Sequence, residues 1–581
     1  MNIVQQRSRG KTYIYLRESF WDPVRRKYSS RNIKSYGCLD ALLEQNPNFL
    51  EELEAEVKAL TEEKDRLQEA KVAERASNVA RSLSADIAAG QDNRTSMLGP
   101  YVLKRVWDRL SLTRKLRSFQ GKTNVAFDFP AAIRFLTAAR ILMPDSKLGQ
   151  WKRRNQLQSE DKLALHQLYR ALDVLIEHKD ELIAYLNRQI AKEYKRSVSV
   201  VLYDVTTYYF ESQNAGDLLN FGFSKDNKVN QVQVVMGLLI DDQGIPIDYE
   251  LFPGNKSEFS TMVPILEKVQ KKYKIERVIV TADRGLNSGT NLLALKELNY
   301  DYVIAHRLKS SGQKYKSLVK DVENWTSFSW SSKGAQRSIT KYRITDDIRT
   351  VKVVVSDGKT ETRTIESKLL LNYSPTRAKK DARDRERLVQ KAQRLADNPS
   401  LLHSELRRGG KSYLSIDDKQ LNAVVNEKRI QDAAFWDGYY GITYSDETMT
   451  PAEVLKIHHS LWQIEESFRI SKSLLNARPC FHWKDQRIRA HFLICYLALV
   501  IHRLLELELS TNNVELTAEE IIDALRDASV LEVPLSDKET VYCKANTEGN
   551  FEKICSALGL GVIPRIAKET ELKRALKVSS L

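Results

Sequence analysis

Apolar and β-branched side chains fill both alternating registers of residues 198–205, with Val198, Val200, Val201, Leu202 and Val205 in close succession. A strand of this kind needs cover on both faces, so it predicts the middle of a sheet sandwiched between other layers. Asp204 interrupts that run. An ionised carboxylate there is costly unless a partner or a metal offsets it. A second buried strand (Val278, Ile279, Val280) leads to Asp283, where Gly285 permits a sharp turn. A third acid, Glu465 in LWQIEESFRISK, lies on a helix predicted to start near Pro451. Two unit charges about 4 Å apart repel by roughly 4 kcal/mol at an effective dielectric of 20. That is tolerable when one is protonated or a divalent cation lies between them. Convergence of the three acids would make a metal-dependent phosphoryl-transfer site.

At 581 residues the chain exceeds a single core, and three or four domains are expected. Its 42% hydrophobic content, with 8 Trp, 24 Tyr and 17 Phe, excludes a disordered chain. Lys and Arg (91) exceed Asp and Glu (76), giving a net charge of +15, which points to a polyanionic partner and first to nucleic acid. The cysteines Cys38, Cys480, Cys495, Cys543 and Cys555 form no C-x-x-C pair, so neither a zinc ribbon nor a disulfide framework is indicated; reduced thiols in a cytoplasmic protein are expected. The N-terminus lacks a signal-peptide core, and FLICYLALVI at 492–501 is too short to span a bilayer, reading instead as a buried helix with no membrane partner.

Patterning divides the chain into six stretches. Residues 1–97 hold a basic β-ribbon (1–38) and an acidic helical segment at 49–73 whose apolar stripe breaks at Lys64. Residues 98–197 carry helical patterns at 101–110, 131–142 and 161–186, with basic clusters such as WKRRNQ, and form a candidate DNA-binding region. Residues 198–306 turn to α/β: strands at 198–204, 231–240 and 245–252, a helix at 258–273, a strand at 276–282, a helix at 289–297 and a strand at 301–305. That order, β-β-β-α-β-α-β, is the order of a ribonuclease-H-like domain. Residues 307–435 form a β-rich insertion with a charged helix near 376–397, 436–509 return to the core with the Glu465 helix, and 510–581 are read as a helical C-terminal region. The predicted fold is thus an α/β ribonuclease-H-like catalytic core with a β-rich insertion domain, preceded by a mostly α-helical N-terminal region.

Glu465 and Glu466 are neighbours, and helical geometry discriminates between them. On one continuous helix Glu465 shares a face with His458, Trp462, Arg469 and Lys472, whereas Glu466 is rotated by roughly 100°. A plain Glu465–Arg469 surface ion pair is the bland alternative.

The segment HHSLWQIEESFRISK resembles the signature helix of DDE insertion-sequence transposases of the YREK subgroup, Y-x2-R-x3-E-x6-K. Glu465 and Lys472 match its Glu and Lys; His458 stands at its Tyr position and Leu461 at its Arg position. VLYDVTTYYFES, GFSKDNKVNQVQVVMGLLID with IPIDYELFPGN, TADRGLNS and RPCFHWKDQRIRAHFLICYLALVIHRL are similar to the same group, so the resemblance spans about 198–505. It implies catalytic and metal-binding roles for Asp204, Asp283 and Glu465, with two Mg²⁺ ions (Mn²⁺ able to substitute) activating water or a DNA 3′-hydroxyl for in-line attack. It implies phosphate contacts for Arg284, Arg469, Lys472 and His458. It further implies cut-and-paste transposition on double-stranded DNA, both transposon ends and target, by a homodimer in a synaptic complex, in the cytoplasm of a bacterium at the nucleoid. Two other readings remain: a ribonuclease-H-like nuclease or resolvase that cuts without joining, and a transposase-derived DNA-binding protein. Trp325 and Trp330 read as sheet packing before base stacking, and His482 and His491 as satisfied histidines before metal ligands.

Overall fold

The computed structural model describes residues 2–576, except 9, 23–26, 89–93, 158–162, 212–213, 223–230, 257–259, 274–278, 311–312, 331–337, 355–359, 399–400, 402–409, 418–421, 479, 481, 537–538 and 548. The motif portion at 223–230, the start of the 276–282 strand, the first residues of the 258–273 helix and the side chain of Trp330 lie outside the described residues. The chain divides into two compact units: Met1–Ser96 with Ser529–Asn546 and Gly561–Ser579, and Met97–Ala528 with Thr547–Leu560 and Ser580–Leu581.

In the first unit the basic ribbon is a three-stranded antiparallel sheet, Asn2–Ser8, Lys11–Asp22 and Lys27–Cys38. The helix expected at 49–73 instead runs from Phe49 to Ala88. No unbroken stripe is needed because different residues are buried along its length. Leu53 and Val57 pack with Ile14 and Leu16 of the ribbon, and Val79 packs with Val533 and Val541. Those last two belong to a second sheet, in the order Ile566–Lys568, Glu539–Asn546, Ser529–Ser536, Arg94–Met97. The C-terminal region, read as helical, therefore also contains strands.

The second unit is built on a nine-stranded sheet among the described residues. Its strands are β1 (Val200–Tyr209), β2 (Gln233–Asp241), β3 (Pro246–Pro253), β4 (Ile279–Ala282), β5 (Asp301–His306), β6 (Thr326–Trp330), β7 (Ser338–Val354), β8 (Thr360–Tyr373) and β9 (Tyr439–Tyr444). They lie in the order β6-β7-β8-β9-β5-β4-β1-β2-β3. β1, β2 and β3 are antiparallel neighbours, whereas β4 and β5 run parallel to β1. The strands expected in 307–435 do not form a sheet of their own: β7 and β8 pair along their length, and β8 continues through β9 to β5. A small hairpin, Leu414–Asp417 with Asn422–Val425, stands apart from this sheet.

Burial follows the alternation of the strands. Val201, Tyr203 and Val205 of β1, with Val280 and Ala282 of β4, join one core with Ile265, Leu292 and Leu295 from two covering helices. Tyr208 lies on the opposite face, its ring 4.9 Å from Phe492. Phe492 belongs to the buried helix Asp485–Thr511, which contains the FLICYLALVI segment. No helix among the described residues is long and apolar enough to cross a membrane. The helical region ahead of the sheet includes α1 (Phe129–Leu142), α2 (Leu165–Glu177) and α3 (Lys179–Glu193). The single pattern read at 161–186 thus divides at His178, which stacks on Phe119 at 4.2 Å.

Candidate active site

In the parallel β1–β4 pair, Val201 is opposite Val280, Leu202 opposite Thr281 and Tyr203 opposite Ala282. Asp204 and Asp283 are the next residues along the two segments. Asp283 keeps an extended backbone, φ −69° and ψ 162°, so the register carries on past the end of β4. The two acids therefore stand abreast, one strand spacing or about 4.8 Å apart at the backbone. By alternation they share the face of Tyr208, away from the core that holds Tyr203 and Ala282. Asp204 is half-buried and Asp283 exposed. The Asp283 carboxylate accepts a hydrogen bond from the Arg284 backbone N–H at 2.6 Å, capping the short turn Arg284–Leu286.

The helix of the third acid starts as the sequence predicts but does not continue unbroken. Thr450 and Glu453 form a capping box ahead of α4 (Pro451–His459), with Pro451 in the first turn. Ser460 Oγ then donates to the Ile457 carbonyl at 2.6 Å, and the backbone shifts to i−3 bonds: Leu461 to His458, Gln463 to Ser460 and Ile464 to Leu461. The helix resumes as α5 (Trp462–Arg469) and passes into a π-helical turn, Ile470–Leu474, closed by the Leu475 N–H on the Ile470 carbonyl at 2.8 Å. The shared face counted from His458 to Lys472 assumed one regular helix, and this break and turn displace both ends of it. α5 packs against β1 and β2.

The ion pairing expected of Arg469 is also different. Arg469 binds Glu466 through Nε and Nη2, both at 2.7 Å, and that guanidinium holds the Glu466 carboxyl below its ordinary range. Glu465 is exposed, and its carboxylate makes no hydrogen bond or ion pair among the described residues. The acid of the family signature is thus the one left without a protein cation. Lys472 is half-buried with its ammonium 5.5 Å from the Tyr208 ring, next to the bond between the Tyr208 and Ser471 hydroxyls at 2.9 Å. His458 stacks against Tyr440 at 6.3 Å, and burial lowers its pKa to about 4, so the ring is neutral at pH 7. Arg284 is exposed beside Asp283.

Among the described residues no group of three or more His, Cys, Asp or Glu side chains is gathered closely enough to hold a metal ion. The strand register aligns two of the acids, and the third is carried on a helix packed on the same strand. Their all-oxygen chemistry fits Mg²⁺, which keeps water and substrate oxygens as its other ligands.

Sequence reasoning missed a polar network behind the Asp283 turn. Arg349 on β7 donates to Asn287 Oδ1 at 2.7 Å and to Asp347 Oδ2 at 2.6 Å, while Thr443 Oγ1 donates to Asp347 at 3.1 Å. Asn287 in turn donates to the Ala305 carbonyl at 2.8 Å. This ties the turn to β5, β7 and β9. The one visible signal was the DDIRT run inside a strand pattern. Trp325 packs edge-on to Tyr439 at 5.7 Å, in keeping with a packing role.

A mixed sheet with one acid midway along β1 and a second just past the end of the adjacent parallel β4, in a strongly basic chain, defines a candidate phosphoryl-transfer domain. Residues 199–501, just over half of the chain, match the family described as Transposase DDE domain, and the chain belongs to that family. No curated protein matches it. Among solved structures it is similar to a piggyBac transposase in a synaptic complex with hairpin DNA, at 7% identity and a TM-score of 0.32, covering 74% of this chain and 78% of that one.

Proposed function

We propose that the protein is a DNA transposase that binds transposon ends and catalyses metal-dependent strand cleavage and strand transfer. The observation that carries the reading is the β1–β4 register, which sets Asp204 beside Asp283. Membership of the DDE family and the unpaired Glu465 support it. Strand order β3-β2-β1-β4-β5 with its mixed directions supports a ribonuclease-H-like core, and Glu465 with Lys472 supports a place in the YREK subgroup.

In this reading Asp204, Asp283 and Glu465 hold divalent metal, with Mg²⁺ the fitting ion. Bound metal would supply an activated oxygen nucleophile and charge stabilisation at the leaving oxygen. The chain's own residues do the rest. The Arg349–Asn287 network fixes the Asp283 turn, and Arg469 keeps Glu466 occupied so that Glu465 alone is free to act as a ligand. Arg284 and Lys472 neutralise phosphates, and His458, neutral, contributes a hydrogen bond or packing. Joining two ends in one event calls for at least two copies of the chain. The test is incubation with Mg²⁺ and DNA carrying the element's ends. Joined products support transposition, cut products alone favour a nuclease, and binding without either overturns the enzymatic reading.

A further inference from the structure

Away from the three acids, the second unit encloses a cavity of about 210 Å³ whose lining includes Arg140, Lys147, Arg478, Tyr169, His482 and His491. These residues come from distant parts of the chain: Arg140 from α1, Tyr169 from α2, His491 from the buried 485–511 helix, and Arg478 and His482 from the segment after the π-turn. Asp145 and Asn476, both exposed, sit among the lining residues.

Its charge is unbalanced. Arg140 and Lys147 are 2% and 3% exposed, and neither has an ion pair among the described residues. Arg140 donates only to neutral carbonyls, those of Leu475 at 3.3 Å, Asn476 at 3.2 Å and Asp145 at 3.0 Å, and its buried Nε has no partner. Lys147 Nζ lies 3.5 Å from His491 Nδ1, and His491 Nε2 lies 3.1 Å from the Ala477 carbonyl. With Nε2 donating to that carbonyl, the ring is neutral and Nδ1 accepts from the ammonium. The one lining carboxylate, Asp145, is bound to Arg153 at 2.8 Å. Buried cations are retained when they are paired or held for a ligand, and a guanidinium beside an ammonium suits a tetrahedral oxyanion.

We propose that this cavity is a phosphate-binding site, filled by a phosphate group of a nucleic-acid strand or by free orthophosphate. Its position suits the first source. The His491 ring of the lining lies 5.5 Å from Phe492, whose ring is 4.9 Å from Tyr208 on the face of β1 that carries Asp204. Tyr208 is four residues along from Asp204, about 13 Å of extended chain, a span a strand lying over the acids would cover within a few nucleotides. The site stands whether or not the protein is a transposase, because orthophosphate binding needs neither metal nor cleavage.

The test is calorimetric titration of the full chain with sodium phosphate at pH 6, where Lys147 is protonated, without divalent metal and against sodium chloride of matched ionic strength. We expect saturable binding of one phosphate per chain and a rise in melting temperature on the order of 2 °C at ten times Kd. Lys147→Met should weaken binding at least about tenfold, while leaving the phosphate-free protein no less stable, since it removes a buried charge. If Lys147→Met fails to fold, Arg478→Gln serves in its place. Displacement of phosphate by a short oligonucleotide identifies the strand as the source, and absence of displacement identifies orthophosphate. A wild-type chain indifferent to phosphate, or a variant that binds it undiminished, overturns the proposal.

Discussion

Asp283 and Glu465 on one side and Arg140 and Lys147 in the cavity on the other carry charges of opposite sign, without ion pairs among the described residues, in opposite settings. Asp283 and Glu465 are exposed, so water screens them and their lack of cations costs the fold little. Arg140 is enclosed and charged throughout, and Lys147 beside it is charged below about pH 7, so there their lack of anions is a cost borne by the folded state. The exposed acids can wait for a ligand without strain. The buried cations register its absence in stability, and the two places should therefore respond differently to the same kinds of perturbation.

The largest contrast is in activity. Asp204→Ala or Asp283→Ala should lower DNA cleavage by at least about 10³-fold, some 4 kcal/mol of transition-state stabilisation, with DNA binding and melting temperature nearly kept. Retained cleavage in either variant removes the metal-site reading. At the cavity the contrast should appear in stability against pH. Burial lowers the Lys147 pKa from 10.5 to about 7 in the folded state. Between those values the unfolded chain binds the proton that the folded chain lacks, so this group makes stability rise with pH from about 7 to about 10.5. Lys147→Met should flatten that rise in denaturation curves taken across the window, and an unchanged slope would show that another group causes it. The smallest effect should come from the paired acid: Glu466→Gln breaks the contact with Arg469 and should cost about 0.2–1 kcal/mol while keeping cleavage, whereas Glu465→Gln should lose cleavage with no stability change. Reversed activities in that pair would move the signature acid by one residue.

The middle of the sheet was legible because β1, β2 and β3 are buried on both faces and advertise it. β1, β2, β3, β5 and the 289–297 helix lie close to where the apolar runs and the turns put them, and β9 returns to the core at 439–444 as expected. The Glu465 helix was legible at its start, where Thr450, Pro451 and Glu453 form a cap, and illegible in its course. Its break depends on one Ser460 hydroxyl competing for a carbonyl, and the choice of Glu466 by Arg469 depends on the geometry after that break. The 49–88 helix was underestimated because its two ends are buried by different residues, which leaves no continuous stripe to count. The cavity was invisible for another reason: Arg140, Lys147, Arg478 and His491 share no local pattern and meet only in the fold.

The central claim is that Asp204, Asp283 and Glu465 hold one metal centre. The most direct measurement replaces Mg²⁺ with Fe²⁺ in the full chain bound to DNA and adds ascorbate and peroxide, so that radicals made at the metal cut the nearby backbone. The account predicts cuts clustered near all three of positions 204, 283 and 465, suppressed by excess Mg²⁺ and lost in Asp204→Asn. Cuts near only one of the three, or cuts that Mg²⁺ does not suppress, would contradict it.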